Sequence, residues 1–167
     1  SALDEIATIL ANRTDRFVLV TMAVGLKMAQ FDEMLSVRYP IIRIMPNTPV
    51  CAGKGMILYC HNEKIYMDEL GEFSDSLKFA GRLDKIDENL IDAASAVSGC
   101  GPAFVYLFAE AMADAGVECG LPRNKALEYA AQTLSGAAEL LLTTGKHPGT
   151  LKDEVCSPGG TTIAGVH

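Results

Sequence analysis

Ser98-Gly-Cys-Gly-Pro-Ala-Phe-Val-Tyr-Leu-Phe-Ala-Glu-Ala-Met-Ala-Asp-Ala115 divides this chain into two kinds of sequence. Pro102 suits the first turn of a helix, where its missing N–H costs nothing. From Ala103 to Ala115 the segment is apolar on nearly every face, so a helix there is expected to be buried on all sides. Gly116 and then Gly120-Leu-Pro122 break it. Arg123–Thr144 is a second long helical segment, with Leu127, Ala130, Leu134, Ala138 and Leu141 on one stripe. Ala131, Ser135, Gly136 and Ala137 leave room for another helix to approach closely. Everything after about Asp87 reads as helix, serving either an intramolecular core or a subunit interface.

Upstream the pattern alternates. Leu3, Ile6, Ala7 and Leu10 recur at helical spacing. Arg16–Met22 is a continuous, β-branched apolar run, the mark of a buried parallel strand. Met28–Leu35 reads as a helix, Ile41–Met45 as a strand stopped by Pro46, and Gly55–Cys60 as another. Glu63–Leu77 then reads as a helix with acidic residues outside, and Gly81–Ile86 as a short strand. Strand–helix–strand alternation with short connections indicates a parallel sheet. The fold class is therefore α/β followed by all-α: a partial Rossmann-like parallel sheet over residues 1–87, then a helical domain over 88–167. No G-x-G-x-x-G turn, the usual opening of a dinucleotide-binding domain, occurs in the chain. The chain is accordingly expected to be an internal fragment: the later part of such a domain joined to most of a helical one.

Composition narrows the function. The 167 residues are 49% hydrophobic and 21% charged, as in globular rather than disordered chains. A formal net charge of -7 argues against a nucleic-acid partner, which needs a basic face. No uninterrupted apolar run reaches the ~18 residues of a membrane span, and no charged-then-apolar leader precedes Leu3. Cys51, Cys60, Cys100, Cys119 and Cys156 form no CxxC pair, and are expected to be reduced and mostly buried in a cytoplasmic protein. His61, His147 and His167 lie far apart in sequence, so no metal site is expected.

The chemistry-bearing motif is Asp153-Glu-Val-Cys-Ser-Pro-Gly-Gly-Thr-Thr162. Pro158, Gly159 and Gly160 make a turn that lets backbone approach a ligand, and Thr161-Thr-Ile-Ala164 begins a helix. The unpaired N–H groups of a helix start seat a small anion, and two hydroxyls beside them can bond a second polar group. A plain threonine-capped turn explains the same residues.

Together with Arg43-Ile-Met-Pro-Asn-Thr-Pro49, Ser98-Gly-Cys-Gly-Pro-Ala103 and His147-Pro-Gly-Thr-Leu-Lys-Asp153, in this order, that motif resembles the pyrroline-5-carboxylate reductase family. The likeness runs from about Leu3 to His167. It implies reduction of 1-pyrroline-5-carboxylate to L-proline, the last step of proline biosynthesis, by hydride from NADP(H) or NAD(H). It also implies pairing of two or more copies through interleaved C-terminal helices. By resemblance, the loop with Met22, Ala23 and Val24 faces the ribose and nicotinamide, Pro46 and Asn47 flank the nicotinamide, and Ser98 contacts the cofactor. Met22 and Val24 as ordinary strand core, and Ser98 as a helix cap, remain open readings. The turn of Ser157, Gly159, Gly160, Thr161 and Thr162 holds the substrate, backbone N–H groups taking the carboxylate and the Thr162 hydroxyl, the catalytic contact, meeting the ring on its nitrogen side. Cys100 and Cys156 stand where serine is frequent in the family, and Met22-Ala-Val24 replaces a run of smaller residues. Two other readings stand beside it. One is another reductase of this architecture acting on a hydroxy acid, which the absence of lysine from Ala103–Ala115 disfavours. The other is a non-catalytic helical assembly module.

Overall fold

The apolar run after Arg16 becomes a strand only over its last part. In the computed structural model, which describes residues 2–167 and side chains from Glu5 onward, helix α1 (Ala2–Ala11) precedes strand β1 (Leu19–Thr21). Leu3 on the first helical face thus lies outside the described side chains. Helix α2 (Met28–Leu35) and strand β2 (Ile41–Met45) follow at the expected bounds, then β3 (Gly55–His61), α3 (Met67–Leu77) and β4 (Gly81–Lys85). The helix expected from Glu63 starts only at Met67, where Glu69 accepts a 2.8 Å bond from the Tyr66 N–H and caps it.

The sheet order is β1-β2-β3-β4, with β1–β2 and β3–β4 parallel. The expected all-parallel sheet needs one correction: β2 and β3 pair antiparallel, so the sheet is mixed. Connection length explains it. A parallel crossover needs about a dozen residues or more, whereas residues 46–54 hold only a 3₁₀ turn, Thr48–Ala52. The β1–β2 and β3–β4 connections carry α2 and α3 and cross over as expected.

β2 is buried along its whole length. Ile42 and Ile44, with Ile57 of β3, pack on Phe73 of α3. Met45, Leu58 and Cys60 pack on Ile91 of helix α4 (Ile91–Ser98), which a 3₁₀ turn, Glu88–Leu90, introduces. Ile41 packs on Phe31 and Leu35 of α2. Because α4 lies on the sheet, residues 1–104 form one compact unit and 105–167 a second.

The remaining helices are α5 (Gly101–Glu118), α6 (Arg123–Thr144), α7 (Pro148–Glu154) and α8 (Thr161–Val166). Ala113 of α5 meets Ala126 and Ala130 of α6, and a Cβ on Gly116 would come within 3.2 Å of the Ala126 Cβ. Small residues thus permit the close approach. The expectation that α5 is buried on all sides fails within the single chain, where Ala113 is its one fully buried residue. Phe104, Val105, Tyr106, Leu107 and Phe108 are between 48% and 66% exposed. The α6 stripe is likewise only partly covered, Leu127 being 44% exposed. A second point concerns length: no uninterrupted apolar run reaches ~18 residues, yet Glu88–Glu118 contains a window long and apolar enough, by composition alone, to cross a membrane. It is interrupted by the Gly99–Cys100 turn. A third concerns the cysteines: all five are free, but Cys60 alone is buried, and Cys51, Cys100 and Cys119 are exposed.

Gly55 and Gly81 face each other at the start of the β3–β4 ladder, Gly81 at φ 145°, where a Cβ would overlap the Gly55 backbone. We expect Gly81→Ala to cost about 1–3 kcal/mol in backbone strain alone, read as a lower midpoint in urea unfolding. Gly71→Ala, on the open face of α3 with nothing within 4 Å of the new methyl, should instead gain about 1 kcal/mol. Equal effects at the two sites would contradict this reading of the ladder.

Candidate active site

Parallel pairing of β1 and β2, with Thr21 opposite Arg43, brings the carboxyl ends of both strands to one edge. The loops leaving that edge hold the residues expected at the cofactor. Thr21 is 8% exposed and its hydroxyl accepts from the Ala23 N–H at 3.2 Å, which bends the chain into the Gly25 turn at φ 76°. Met22 is 61% exposed and Val24 81%. Ordinary strand core is thereby excluded for both, and apolar side chains stand open at the edge, as a lining for a planar ring requires.

Pro46 and Asn47 leave β2 at the same edge. Both ends of the Asn47 amide are engaged: Nδ2 donates to the Ser98 carbonyl at 2.9 Å, and Oδ1 accepts from the Met56 N–H at 2.9 Å. Asn47 and Ser98, far apart in sequence, therefore meet. The Ser98 hydroxyl donates to Ala94 O at 3.1 Å, one turn back along α4. It caps nothing, contrary to the simpler reading of Ser98. Asn47, Ser98 and Pro46 give this edge a fixed wall, while Met22 and Val24 give it an open one.

The substrate-side residues lie in the second unit. Gly160 N–H donates to Ser157 O at 3.0 Å across a turn with Pro158 second and Gly159, at φ 69°, third. Only glycine holds that third position easily. A Cβ on Gly160 would run into the Ser157 hydroxyl. The turn consumes the Gly160 N–H, which the sequence reading had offered to the carboxylate. Helix α8 begins at Thr161 as expected, and among the described residues neither Thr161 nor Thr162 has a side-chain hydrogen bond. Both are exposed. Upstream, His147 Nδ1 accepts from the Gly149 N–H at 3.1 Å and caps α7.

Arg43 was quoted in a motif but given no role by the sequence reading. It is 0% exposed, Nη2 donates to Asp92 Oδ1 at 3.0 Å, and Nη1 lies 3.5 Å from Glu88 Oε1. The same Glu88 oxygen accepts from the Met28 N–H at 2.6 Å, at the start of α2. A lone arginine inside Ile41-Ile-Arg-Ile-Met45 was the available signal, since a charge in a buried strand implies a partner. Beside it, burial pushes the Cys60 thiol up to about 11, with Glu88 adding to the shift, so Cys60 is not a nucleophile near neutral pH.

With this geometry in hand, the comparisons are specific. Residues 88–167 match the family described as pyrroline-5-carboxylate reductase dimerisation. Along 90% of its length the chain is 43% identical to pyrroline-5-carboxylate reductase of Pisum sativum, covering 55% of that protein. It is 42% identical over 98% of its length to the Synechocystis enzyme of that name, covering 61%. The chain thus spans a little over half the length of the curated relatives it matches. A crystal structure of Plasmodium falciparum pyrroline carboxylate reductase with NADP bound superposes with a TM-score of 0.87 at 35% identity, over 98% of this chain and 64% of that one. The reductase of Streptococcus pyogenes superposes at 0.82, with 33% identity. The resemblance to pyrroline-5-carboxylate reductases in sequence therefore extends to the fold, α/β followed by all-α.

Proposed function

We propose that the protein carrying this chain is a pyrroline-5-carboxylate reductase, with NADP(H) or NAD(H) as cofactor and L-proline as product. The observation that supports it most is the pairing of two features found in the order the family requires. One is an open apolar edge at the carboxyl ends of β1 and β2; the other is a tight Ser157–Gly160 turn feeding a helix start with two unpartnered threonines.

The bound nicotinamide would supply hydride to the imine carbon, the ring nitrogen taking a proton, so that C=N becomes CH–NH. This chain's residues have the other tasks. Met22, Ala23 and Val24 line the ring's approach, and Pro46 with Asn47 and Ser98 forms the fixed wall. Ser157, Gly159 and Gly160 hold the turn in shape. The Thr161 and Thr162 N–H groups hold the substrate carboxylate, assisted by the helix dipole. The Thr162 hydroxyl bonds the ring on its nitrogen side as the catalytic contact. Residues 1–87, with Ser98, serve the cofactor, and the rest of 88–167 the substrate and the assembly. Free cysteines throughout support the reading of a cytoplasmic protein.

The exposed face of α5 is assigned to a second copy of the chain. Phe104, Leu107 and Phe108 lie three and four residues apart, on one side of the helix, and all are more than half exposed. An obligate interface covering them should bury more than about 2,000 Å².

If Thr162 contacts the ring nitrogen side, Thr162→Ala removes one hydrogen bond worth about 0.5–1.5 kcal/mol, and more if it strengthens in the transition state. We expect a fall of about tenfold in kcat/KM with NADPH affinity unchanged, and near-normal activity in Thr162→Ser. Wild-type kinetics in Thr162→Ala would reduce the hydroxyl to an ordinary helix-start group. For assembly, sedimentation at micromolar concentration should show a dimer or larger oligomer, and Leu107→Glu should yield a folded monomer. A wild-type monomer would overturn the assignment of α5, and a membrane-partitioning chain would reassign that face to lipid.

A further inference from the structure

Two attachments run between the β2 segment and α4, one from the middle of the strand to the first turn of the helix and one from just past the strand to the helix's last residue. At the first, Arg43 donates to Asp92 in the first turn of α4. At the second, Asn47, just past the end of β2, donates to the carbonyl of Ser98, the last residue of α4. From Arg43 to Asn47 an extended chain advances about 13 Å, and from Asp92 to Ser98 a helix rises about 9 Å. The helix is therefore held along the strand at two points, with Ala94 between them packed on the cluster of Met45, Leu58 and Ile91.

Asn47 does more than close this clamp. Its oxygen accepts from Met56 at the start of β3, so a single amide joins the strand-end loop, the next strand and the end of α4. Both ends of the amide are thereby fixed by backbone groups of this chain, which sets the plane and position of the side chain. Pro46 on one side and Gly99–Gly101 on the other inherit their positions from it.

We propose that Asn47 is a positioning residue for hydride transfer, acting through Ser98 and Met56 rather than on the cofactor, with Arg43–Asp92 as the second point of the clamp. The proposal rests on the reductase reading: wild-type protein without pyrroline-5-carboxylate reduction refutes that reading before any variant is made.

With active wild type in hand, the test is Asn47→Asp, which keeps the acceptor for Met56 but sets a carboxylate against the Ser98 carbonyl. Three readouts are taken: NADPH dissociation constant by fluorescence, steady-state kinetics with NADPH and its 4-deuterated form, and amide exchange in the cofactor-free protein. A positioning role predicts NADPH affinity within about threefold of wild type, kcat lower by tenfold or more, and a larger deuterium isotope effect. It also predicts faster amide exchange at Gly101 and Ala103 while Met56 stays protected. Asp92→Asn, at a residue whose side chain is 64% exposed, serves as the mild variant should Asn47→Asp fail to fold. The same changes are expected there at smaller amplitude. Loss of NADPH affinity with an unchanged isotope effect would make Asn47 a direct cofactor contact and overturn the proposal. A lower melting temperature with normal kcat and isotope effect would make the clamp merely structural and overturn it equally.

Discussion

Arg43 has no exposure to water, so its charge must be met by carboxylates that the chain brings to it. Asp92 and Glu88 do so from the turn and helix that follow the sheet, and Glu88 also receives the Met28 N–H at the head of α2. One guanidinium thereby sets three elements around the edge where the β1 and β2 loops emerge. Both carboxylates remain partly in water, their side chains 23% and 64% exposed, which limits their own desolvation cost. The arginine alone is fully buried, with Nη2 hydrogen-bonded to Asp92, Nη1 only ion-paired to Glu88, and Nε and Nη1 without a hydrogen-bond partner among the described residues. This is why α4 groups with the sheet unit although the helical character of the sequence begins before it.

The second unit rests on contacts of a different kind. Alanines at 113, 126 and 130 close one seam between α5 and α6, and little else there is buried. Apolar area of the size left open along α5 is unusual on a lone chain. Read as an assembly surface, it accounts for both the missing aromatic partners and the family that residues 88–167 match. The same composition makes Glu88–Glu118 long and apolar enough to cross a membrane, by length and composition alone.

Periodicity made most elements legible. α2, β2 and α6 were read to the residue because an apolar pattern ended at a proline or glycine, or at a polar turn. β1 was overestimated, since β-branched residues around Phe17 and Val18 favour extension without a partner strand to bond. The antiparallel β2–β3 pair is legible only in the length of the 46–54 connection, which is too short for a parallel crossover. At the site, the Ser157–Thr162 turn was legible from glycine chemistry. The Asn47–Ser98 bond was not, because no local pattern records which carbonyl an amide will find 51 positions away. Arg43 was visible as a charge in an apolar strand, but its partners lie beyond the next helix.

The central claim is that the Arg43 charge is matched inside the fold, and equilibrium urea unfolding tests it most directly. Replacing both partners, Glu88→Gln with Asp92→Asn, leaves a buried cation unpaired and should destabilise the protein by about 3–5 kcal/mol. Adding Arg43→Met to that pair removes the orphaned charge and should recover a large part of the loss. If the doubly substituted protein unfolds at the wild-type urea midpoint, the arginine is not held by these carboxylates and the account fails.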